Sequence, residues 1–200
     1  IVLDCALSFL TRIFMPAAFS TETTLALACH PDAPDAAVQG IAVSLTRAPD
    51  GSLALRYRLA GTLAALRIPD AATPLPPERL WAHTCFELFV AEPGTDAYRE
   101  FNFSPGGQWM RFDFCAYRQR VASPAGPAPQ IVVQAGDGVL ELRALLPAQL
   151  LPPGDLILGL TAVVENKDGS HRYWALRHPA GQPDFHHRDG FAFALKVSTP

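Results

Sequence analysis

Apolar and polar residues alternate in short runs along most of the chain, which is the period expected of β-strands with one buried face. The clearest run is TCFELFV, where Phe86, Leu88 and Val90 alternate with the acidic residue Glu87. Two further alternating runs follow, REFNFS and WMRFDFC, and the turn-like segment SPGGQ separates them. The pattern therefore predicts a three-stranded antiparallel meander within residues 81–115.

Alternation divides the side chains of this meander between two faces. We expect the core face to carry the apolar residues Phe86, Leu88, Val90, Phe101, Phe103, Met110, Phe112 and Phe114. The opposite face would carry Glu87, Asn102, Trp109, Arg111 and Asp113. A hydrated outer face is one interpretation of such a polar set, because antiparallel sheets usually have one solvated side. Carboxylates, an amide, a guanidinium and an indole at strand centres are also typical of a polar ligand site, and both interpretations stay open.

The rest of the chain shows the same β pattern. The turn segments 49–51 (PDG) and 136–138 (GDG) predict two hairpins, and residues 155–166 are apolar on both faces, as expected of a central strand. Nineteen Pro and 14 Gly interrupt the chain too often for long helices. We predict an all-β sandwich, jelly-roll or immunoglobulin-like, with two antiparallel sheets and roughly ten or eleven strands.

Length and composition suit one domain. The chain has 200 residues, of which 49% are hydrophobic, and we assign residues 20–200 to a single sandwich domain. Residues 1–19 are interpreted as an N-terminal extension outside the fold, with Met15 as a candidate native start. Asp4 and Arg12 interrupt the apolar stretch at the beginning, which is too short to span a bilayer and lacks the basic start of a secretory signal. We therefore expect a cytoplasmic protein without a membrane partner.

Charge and cysteine content exclude further classes. The net charge of −3 and the scattered positions of the 16 Lys and Arg residues argue against a nucleic-acid partner, which would require a basic patch. Four cysteines occur without a CxxC motif or regular spacing, so we expect free thiols and neither a zinc site nor a disulfide scaffold. The chain also lacks GxSxG, GxGxxG and P-loop motifs.

Carboxylates and histidines provide two alternative chemistries. Glu87 with Glu100 or Asp113 could form the carboxylate pair of a glycoside-processing enzyme, although the sequence does not give the distance between the carboxyl groups. The histidines show neither HxH nor HExxH spacing, so a metal site has no motif behind it. We predict neither a metal nor a cofactor, and no catalytic residue.

The tryptophans indicate a different ligand. A sugar ring presents apolar C–H faces and a rim of hydroxyl groups, so its binding site requires flat aromatic platforms beside polar hydrogen-bonding groups. Trp81 precedes the Glu87 strand, and Trp174 lies in the later run HRYWALRHP. Together they could form an aromatic clamp, whereas packing in the core is the alternative for each ring.

Two long segments resemble a known family. LWAHTCFELFVAEPGTDAYREFNFSPGGQW and RYWALRHPAGQPDFHHRDGFAF are similar to bacterial DOMON-like domain proteins, relatives of the family 9 carbohydrate-binding modules. The resemblance covers most of residues 20–197, and WAHTCFE, EFNFSP, YWAL and PDFHH are its most specific parts. It implies a β-sandwich of two antiparallel sheets that binds a ligand without catalysis, and DOMON relatives bind either sugars or haem.

In the sugar-binding modules two tryptophans enclose a terminal sugar and a strand glutamate binds its hydroxyl groups. Trp81, Glu87 and Trp174 match these positions, whereas His171 stands near the place where the modules have an asparagine. We expect non-catalytic binding of a saccharide by Trp81, Glu87, Asn102, Arg111 and Trp174, with His83 and His186 as secondary candidates. Haem, a metal or a protein partner are the alternatives; haem is not favoured, because Met15 and Met110 offer no evident Met/His ligand pair.

Overall fold

The computed structural model describes residues 22–197 and contains twelve strands in this range. In chain order they are β1 (Thr23–Cys29), β2 (Val38–Arg47), β3 (Leu53–Gly61), β4 (Cys85–Ala91), β5 (Tyr98–Phe103), β6 (Trp109–Ala116), β7 (Gln119–Val121), β8 (Gln130–Gly136), β9 (Val139–Leu146), β10 (Leu156–Glu165), β11 (His171–Ala175) and β12 (Phe193–Leu195). Short 3₁₀ helices occupy Leu63–Ala65, Pro77–Ala82, Ala148–Leu150 and Arg188–Gly190. The predictions for residues 1–19 and for Met15 lie outside the described residues.

The predicted all-β fold is confirmed, with one strand more than expected. The additional strand is β7, whose three residues are all exposed and lie inside the proline-rich segment that the pattern suggested was a connection. A short exposed edge strand has no alternating apolar face, so periodicity cannot detect it. Both predicted hairpins are present, as the antiparallel pairs β2 with β3 and β8 with β9.

The strands form two layers. Layer A has the order β1-β2-β3-β9-β8, and layer B has the order β7-β6-β5-β4-β10-β11 with β12 also pairing with β10. All pairs are antiparallel, and β1 joins the layers because Thr23–Leu27 pair with β2 whereas Ala28 and Cys29 pair with β11. The arrangement is a sandwich made from one continuous hydrogen-bonded sheet.

The main hydrophobic core lies between the layers. Tyr57 of β3 is fully buried there, stacks on Phe86 of β4 and donates a hydrogen bond to the backbone oxygen of Glu87 at 2.6 Å. The inner face of layer B contributes Phe86, Leu88, Val90, Phe101 and Phe103, as the alternation predicted. For β4 and β5, the residues predicted to face the core are therefore the ones that do so in the structure.

The outer face of layer B is also buried, which the sequence did not predict. Every residue of β4 is buried, so both faces of this strand are covered. Phe89 on the outer face packs in a second hydrophobic cluster that includes Phe112, Phe114 and Phe191. Gly159 of β10 makes room for this cluster, since a Cβ there would lie 3.1 Å from the Phe191 ring. A second buried surface on this side of layer B positions the candidate site.

The face assignment for β6 was wrong. Cross-strand pairing places Arg111 opposite Phe101 and Phe112 opposite Glu100, so the polar residues of β6 point toward layer A and its phenylalanines point outward. The alternation itself is intact, but both faces of layer B are apolar in part, and hydrophobicity alone cannot then say which set faces which side.

Three cysteines in the described part of the chain, Cys29, Cys85 and Cys115, are free thiols. Within residues 22–197, no helix is both long and apolar enough to cross a membrane.

Candidate functional site

A pocket of about 580 Å³ opens on the outer face of layer B. Its size is typical of small-molecule sites, which span roughly 300 to 1,000 Å³. Strands β4, β5, β6 and β11 supply its floor and sides, and Pro183, Phe185 and His186 from the segment before β12 form a further wall. The pocket therefore combines a rigid sheet with a loop that comes from a distant part of the sequence.

Two carboxyl groups lie at the floor of this pocket. Glu87 is 3% exposed and Glu100 is 5% exposed. The Thr161 hydroxyl of β10 donates to Glu87 Oε2 at 3.1 Å, and the Asn102 amide donates to Glu100 Oε1 at 2.5 Å. Glu87 pairs across the strands with Asn102 and with Thr161, so the acid stands at the centre of layer B between two polar neighbours.

Both acids hold their protons more tightly than a carboxyl group in water does. Burial raises the pKa of Glu87 well above its ordinary value, and the nearby Glu100 carboxylate raises it further. Burial also raises the pKa of Glu100, whereas the Asn102 hydrogen bond and the cations Arg118 and Arg120 oppose that shift. The charge of Glu100 is thus partly compensated by cations, whereas only the Thr161 hydrogen bond acts in that direction on Glu87.

His186 connects the loop to the floor in its neutral form. Burial lowers the pKa of His186 to about 4, and the Arg118 cation contributes to this lowering. Its Nδ1 lies 2.9 Å from the Tyr98 hydroxyl oxygen, which also accepts a hydrogen bond from the Arg118 backbone N–H at 3.0 Å. This geometry favours a Tyr98 hydroxyl that donates to Nδ1 and an Nε2–H directed toward Glu100 Oε2, 3.7 Å away. A neutral imidazole forms no ion pair with that carboxyl group.

Aromatic rings line the sides of the pocket. The lining rings are Phe89, Phe112, Phe114, Tyr173 and Phe185, with Trp81 at the rim. Trp81 is 50% exposed, although its indole Nε1 donates to the Glu78 backbone oxygen at 3.0 Å, so the ring is oriented while its surface stays accessible. An exposed aromatic ring that is already held in position offers a flat apolar surface on which a ligand can stack.

Two arginines complete the rim. Arg118 donates to Asp184 Oδ1 at 2.8 Å, so a neighbouring carboxylate compensates its charge. The Arg120 guanidinium lies 4.0 Å from the centre of the Phe112 ring, a cation–π contact that holds this side chain against the aromatic wall.

The structure brings three of the predicted ligand-binding residues together at this pocket: Trp81, Glu87 and His186. Asn102 is fully buried and contacts the site through its hydrogen bond to Glu100. His83 lies outside the lining and its Nδ1 is 2.9 Å from Glu165 Oε2. Asn102 and His83 can therefore influence the pocket only through neighbouring residues.

Arg111 and Trp174 require a correction, because both lie on the inner face of layer B. Arg111 donates to the Pro124 backbone oxygen and pairs with Asp113 at 3.2 Å. Trp174 is 6% exposed and packs in the core between the layers. Since Trp81 lines the outer pocket, the two tryptophans are on opposite sides of the same sheet and form no clamp.

Several lining residues were not among the predicted ones. Phe112 and Phe114 were assigned to the core because they are apolar, and Glu100 was considered only as a catalytic partner of Glu87. Arg118 and Arg120 lie next to or within the undetected strand β7. The run PDFHH was the signal that could have identified the loop, because one phenylalanine and two histidines, Phe185, His186 and His187, stand together there.

The described part of the chain contains no group of three or more His, Cys, Asp or Glu side chains arranged to hold a metal ion. The pocket offers instead two acids, neutral histidine and aromatic surface, which is the chemistry of a hydrogen-bonding and stacking site.

Comparison with known proteins identifies a similar fold. A proposed carbohydrate-binding protein from Bacteroides uniformis ATCC 8492 has a crystal structure that superposes with a TM-score of 0.58, covering 85% of this chain and 83% of that chain. The two chains share this sandwich fold. Sequence identity between them is 16%, so the likeness concerns the fold alone. No family model matches the chain. No curated protein sequence matches it either.

Proposed function

We propose that this protein binds a small saccharide in the outer pocket of layer B without transforming it. The observation that carries the proposal is the position of Trp81, an exposed aromatic platform at the rim of a pocket whose floor contains Glu87 and Glu100. The fold shared with a proposed carbohydrate-binding protein supports this assignment. We assign the chain, as part of the same proposal, to the DOMON-like relatives of family 9 modules.

Trp81 would stack against the apolar face of a sugar ring. The rings of Phe89 and Tyr173 would limit how far the sugar enters the pocket. The buried carboxyl groups would bind ring hydroxyl groups. Because their pKa values are raised, each carboxyl can donate a hydrogen bond when protonated as well as accept one. His186 would supply a third hydrogen-bonding group through the imidazole that faces the pocket.

A thermal-shift screen with neutral and amino sugars tests this proposal. A ligand at about 100 times its dissociation constant stabilises the folded state by roughly 2.7 kcal/mol, which such a screen resolves easily. We expect stabilisation by at least one sugar and its loss in Trp81→Ala. If no sugar stabilises the parent protein, or if Trp81→Ala binds as tightly as the parent, the proposal fails.

A glycoside-processing enzyme is the second candidate function, favoured by the presence of two acids with raised pKa values in one pocket. Glu87 and Glu100 project from neighbouring strands on the same face of layer B, so both carboxyl groups would contact a ligand from the same side, the floor of the pocket. The carboxyl groups of glycosidases stand on either side of the bond they cleave. This difference in placement favours binding over hydrolysis.

The two candidates give opposite results with chromogenic glycosides. Turnover by the parent protein that disappears in Glu87→Gln would assign an enzyme. Binding without turnover, under the conditions in which the thermal-shift screen detects the sugar, would retain the binding protein.

A further inference from the structure

The floor of the pocket contains a buried acid, Glu87, that has no cationic partner in the described part of the chain. Glu87 is 3% exposed and forms no ion pair with any residue in the range 22–197, and the hydrogen bond from Thr161 is the side-chain contact found for its carboxyl group. Buried carboxyl groups in proteins are normally paired with a cation or kept neutral. An acid in this position, open to a pocket, is therefore a candidate binder of a positive charge from a ligand.

The other acidic and basic side chains that line the pocket are Glu100, Arg118, Arg120, His171 and His186. His171 Nε2 lies 3.1 Å from the Ala82 backbone oxygen, so that nitrogen is engaged by the backbone. His186 is neutral above pH of about 4.

Arg118 is paired with Asp184 at 2.8 Å, and Arg120 is held over Phe112 on the side of the pocket that bears Glu100. Both cations favour the ionised form of Glu100 and so oppose the rise in its pKa. No cation in the range 22–197 favours the ionised form of Glu87 in the same way. An ammonium group of a ligand would therefore supply the charge that stabilises ionised Glu87.

The walls fit a ligand cation as well. Ammonium groups are attracted to the faces of aromatic rings, and the attraction is strongest where water is excluded. Trp81, Phe89 and Tyr173 line the pocket together with Glu87. Aromatic rings that surround a cation are an established arrangement for ammonium ligands. Here a buried carboxyl group lies among such rings, and a ligand ammonium group would also give it the cationic partner that buried carboxylates require.

We infer that the ligand is a saccharide with a free amino group, and that its ammonium group pairs with Glu87 while Trp81 stacks on the sugar ring. This inference rests on the proposed function, because it names the class of saccharide that the same pocket takes. The ammonium group would contact Glu87 directly, and Thr161 would act as a positioning residue that orients the carboxylate through its hydroxyl group.

Calorimetric titration with three related sugars tests the inference near neutral pH. D-glucosamine carries the ammonium group, D-glucose replaces it with a hydroxyl group, and N-acetyl-D-glucosamine removes its charge. We expect D-glucosamine to bind about tenfold or more tightly than either neutral sugar, because a hydrogen bond between two charged groups is stronger than one between neutral groups. Ethanolamine, an ammonium compound without a ring, is expected to bind far more weakly.

The variant Glu87→Gln keeps the shape of the side chain and removes its charge. We expect it to lose the preference for D-glucosamine and to bind the three sugars with similar affinity. The matched control is Glu141→Gln, which makes the same change in β9, where Glu141 pairs with Arg143 away from the pocket. The control should keep both affinity and preference, and its melting temperature and that of Glu87→Gln establish that both variants are folded.

The results separate the inference from the proposed function. Equal binding of D-glucose and D-glucosamine by the parent protein would overturn the inference and leave saccharide binding in place. A preference for D-glucosamine that survives in Glu87→Gln would also overturn it, because the ammonium group would then pair elsewhere. Binding of ethanolamine as tight as that of D-glucosamine, or no binding of any sugar, would overturn both.

Discussion

Truncation of the two tryptophans should have opposite effects on stability and binding. Trp174→Ala removes a ring that is 6% exposed and packed between the layers, whereas Trp81→Ala removes one that is 50% exposed at the rim of the pocket. The first change leaves a cavity in the main core. The second mainly removes surface that faces solvent or a ligand.

The magnitudes follow from burial. Replacement of a buried tryptophan by alanine typically costs about 3 to 5 kcal/mol. For a domain of this length, each kcal/mol lowers the melting temperature by roughly 2 to 4 °C, so Trp174→Ala should lower it by about 6 to 20 °C. Trp81→Ala should change the unfolding free energy by less than about 1 kcal/mol, because half of the ring is already in water.

Denaturant unfolding and calorimetric titration measure the two effects on the same samples. We expect Trp81→Ala to lose at least about tenfold in sugar affinity, since well-placed aromatic contacts often account for roughly 2 kcal/mol of binding. Trp174→Ala should bind within a few-fold of the parent at temperatures where it is folded. The reasoning would be refuted by a Trp174→Ala variant that is as stable as the parent but no longer binds sugar.

Three further predictions concern the acids, the histidine and the inner-face arginine. Glu87→Gln should be more stable than the parent near neutral pH, because the raised pKa of Glu87 makes its ionisation unfavourable to the folded state. The difference in unfolding free energy should shrink as the pH falls toward 4.5, the ordinary pKa of a carboxyl group. Denaturant unfolding at a series of pH values checks this, and a pH-independent difference would contradict it. The pKa of His186 is lowered from 6.5 to about 4, so as the pH falls between these values the unfolded chain takes up a proton before the folded protein does. The parent should lose up to roughly 3 kcal/mol of unfolding free energy over this range, and His186→Gln should lose less. If the unfolding free energy of the variant depends on pH as that of the parent does, His186 does not titrate in this way. Arg111→Met removes one of the two cations beside Asp113, since Arg99 remains 3.5 Å away, and should cost about 2 kcal/mol of unfolding free energy while sugar affinity stays unchanged. Denaturant unfolding and calorimetric titration check this, and reduced affinity in a folded variant would return Arg111 to the binding site.

The strands of this fold could be predicted because most of them have one strongly apolar face. In β2, for example, Ile41, Val43 and Leu45 alternate with less buried residues, and β2 pairs with β3 in the hairpin that the turn at 49–51 predicted. The position of Glu87 opposite Phe86 and Leu88 followed from the same period. Local alternation therefore determined both the number of long strands and the identity of the central acid.

Orientation could not be predicted where both sides of a strand are covered. The phenylalanines of β6 were assigned to the core because they are apolar, but the structure places Phe112 and Phe114 beside the pocket and Arg111 on the inner face. The pairing register with β5 decides this orientation, and register depends on the partner strand and the turn. Trp174 was placed at the site by the resemblance to sugar-binding modules, whereas its pairing with Ala162 puts its ring on the inner face of layer B.

The composition of the pocket depends on contacts between distant parts of the chain. His186 reaches Tyr98 across 88 residues of sequence, and Tyr117 donates to Asp184 across 67. Apolar alternation does not indicate that the segment before β12 folds back over β4 and β5, although the run PDFHH distinguishes this segment from an ordinary loop. Periodicity thus predicted the acid at the floor, and the resemblance predicted Trp81 at the rim. The phenylalanines of the wall and the arginines of the rim were not predicted.

The indole N–H resonances of the three tryptophans provide the most direct test of saccharide binding in the outer pocket. In a titration of isotope-labelled protein with D-glucose and D-glucosamine, we expect the Trp81 resonance to shift with saturation, because its ring would contact the sugar. The Nε1 of Trp174 is buried and has no hydrogen-bond partner among residues 22–197, so its resonance should stay in place. Saturable shifts at Trp174 with none at Trp81, or no shift with any sugar, would contradict the account.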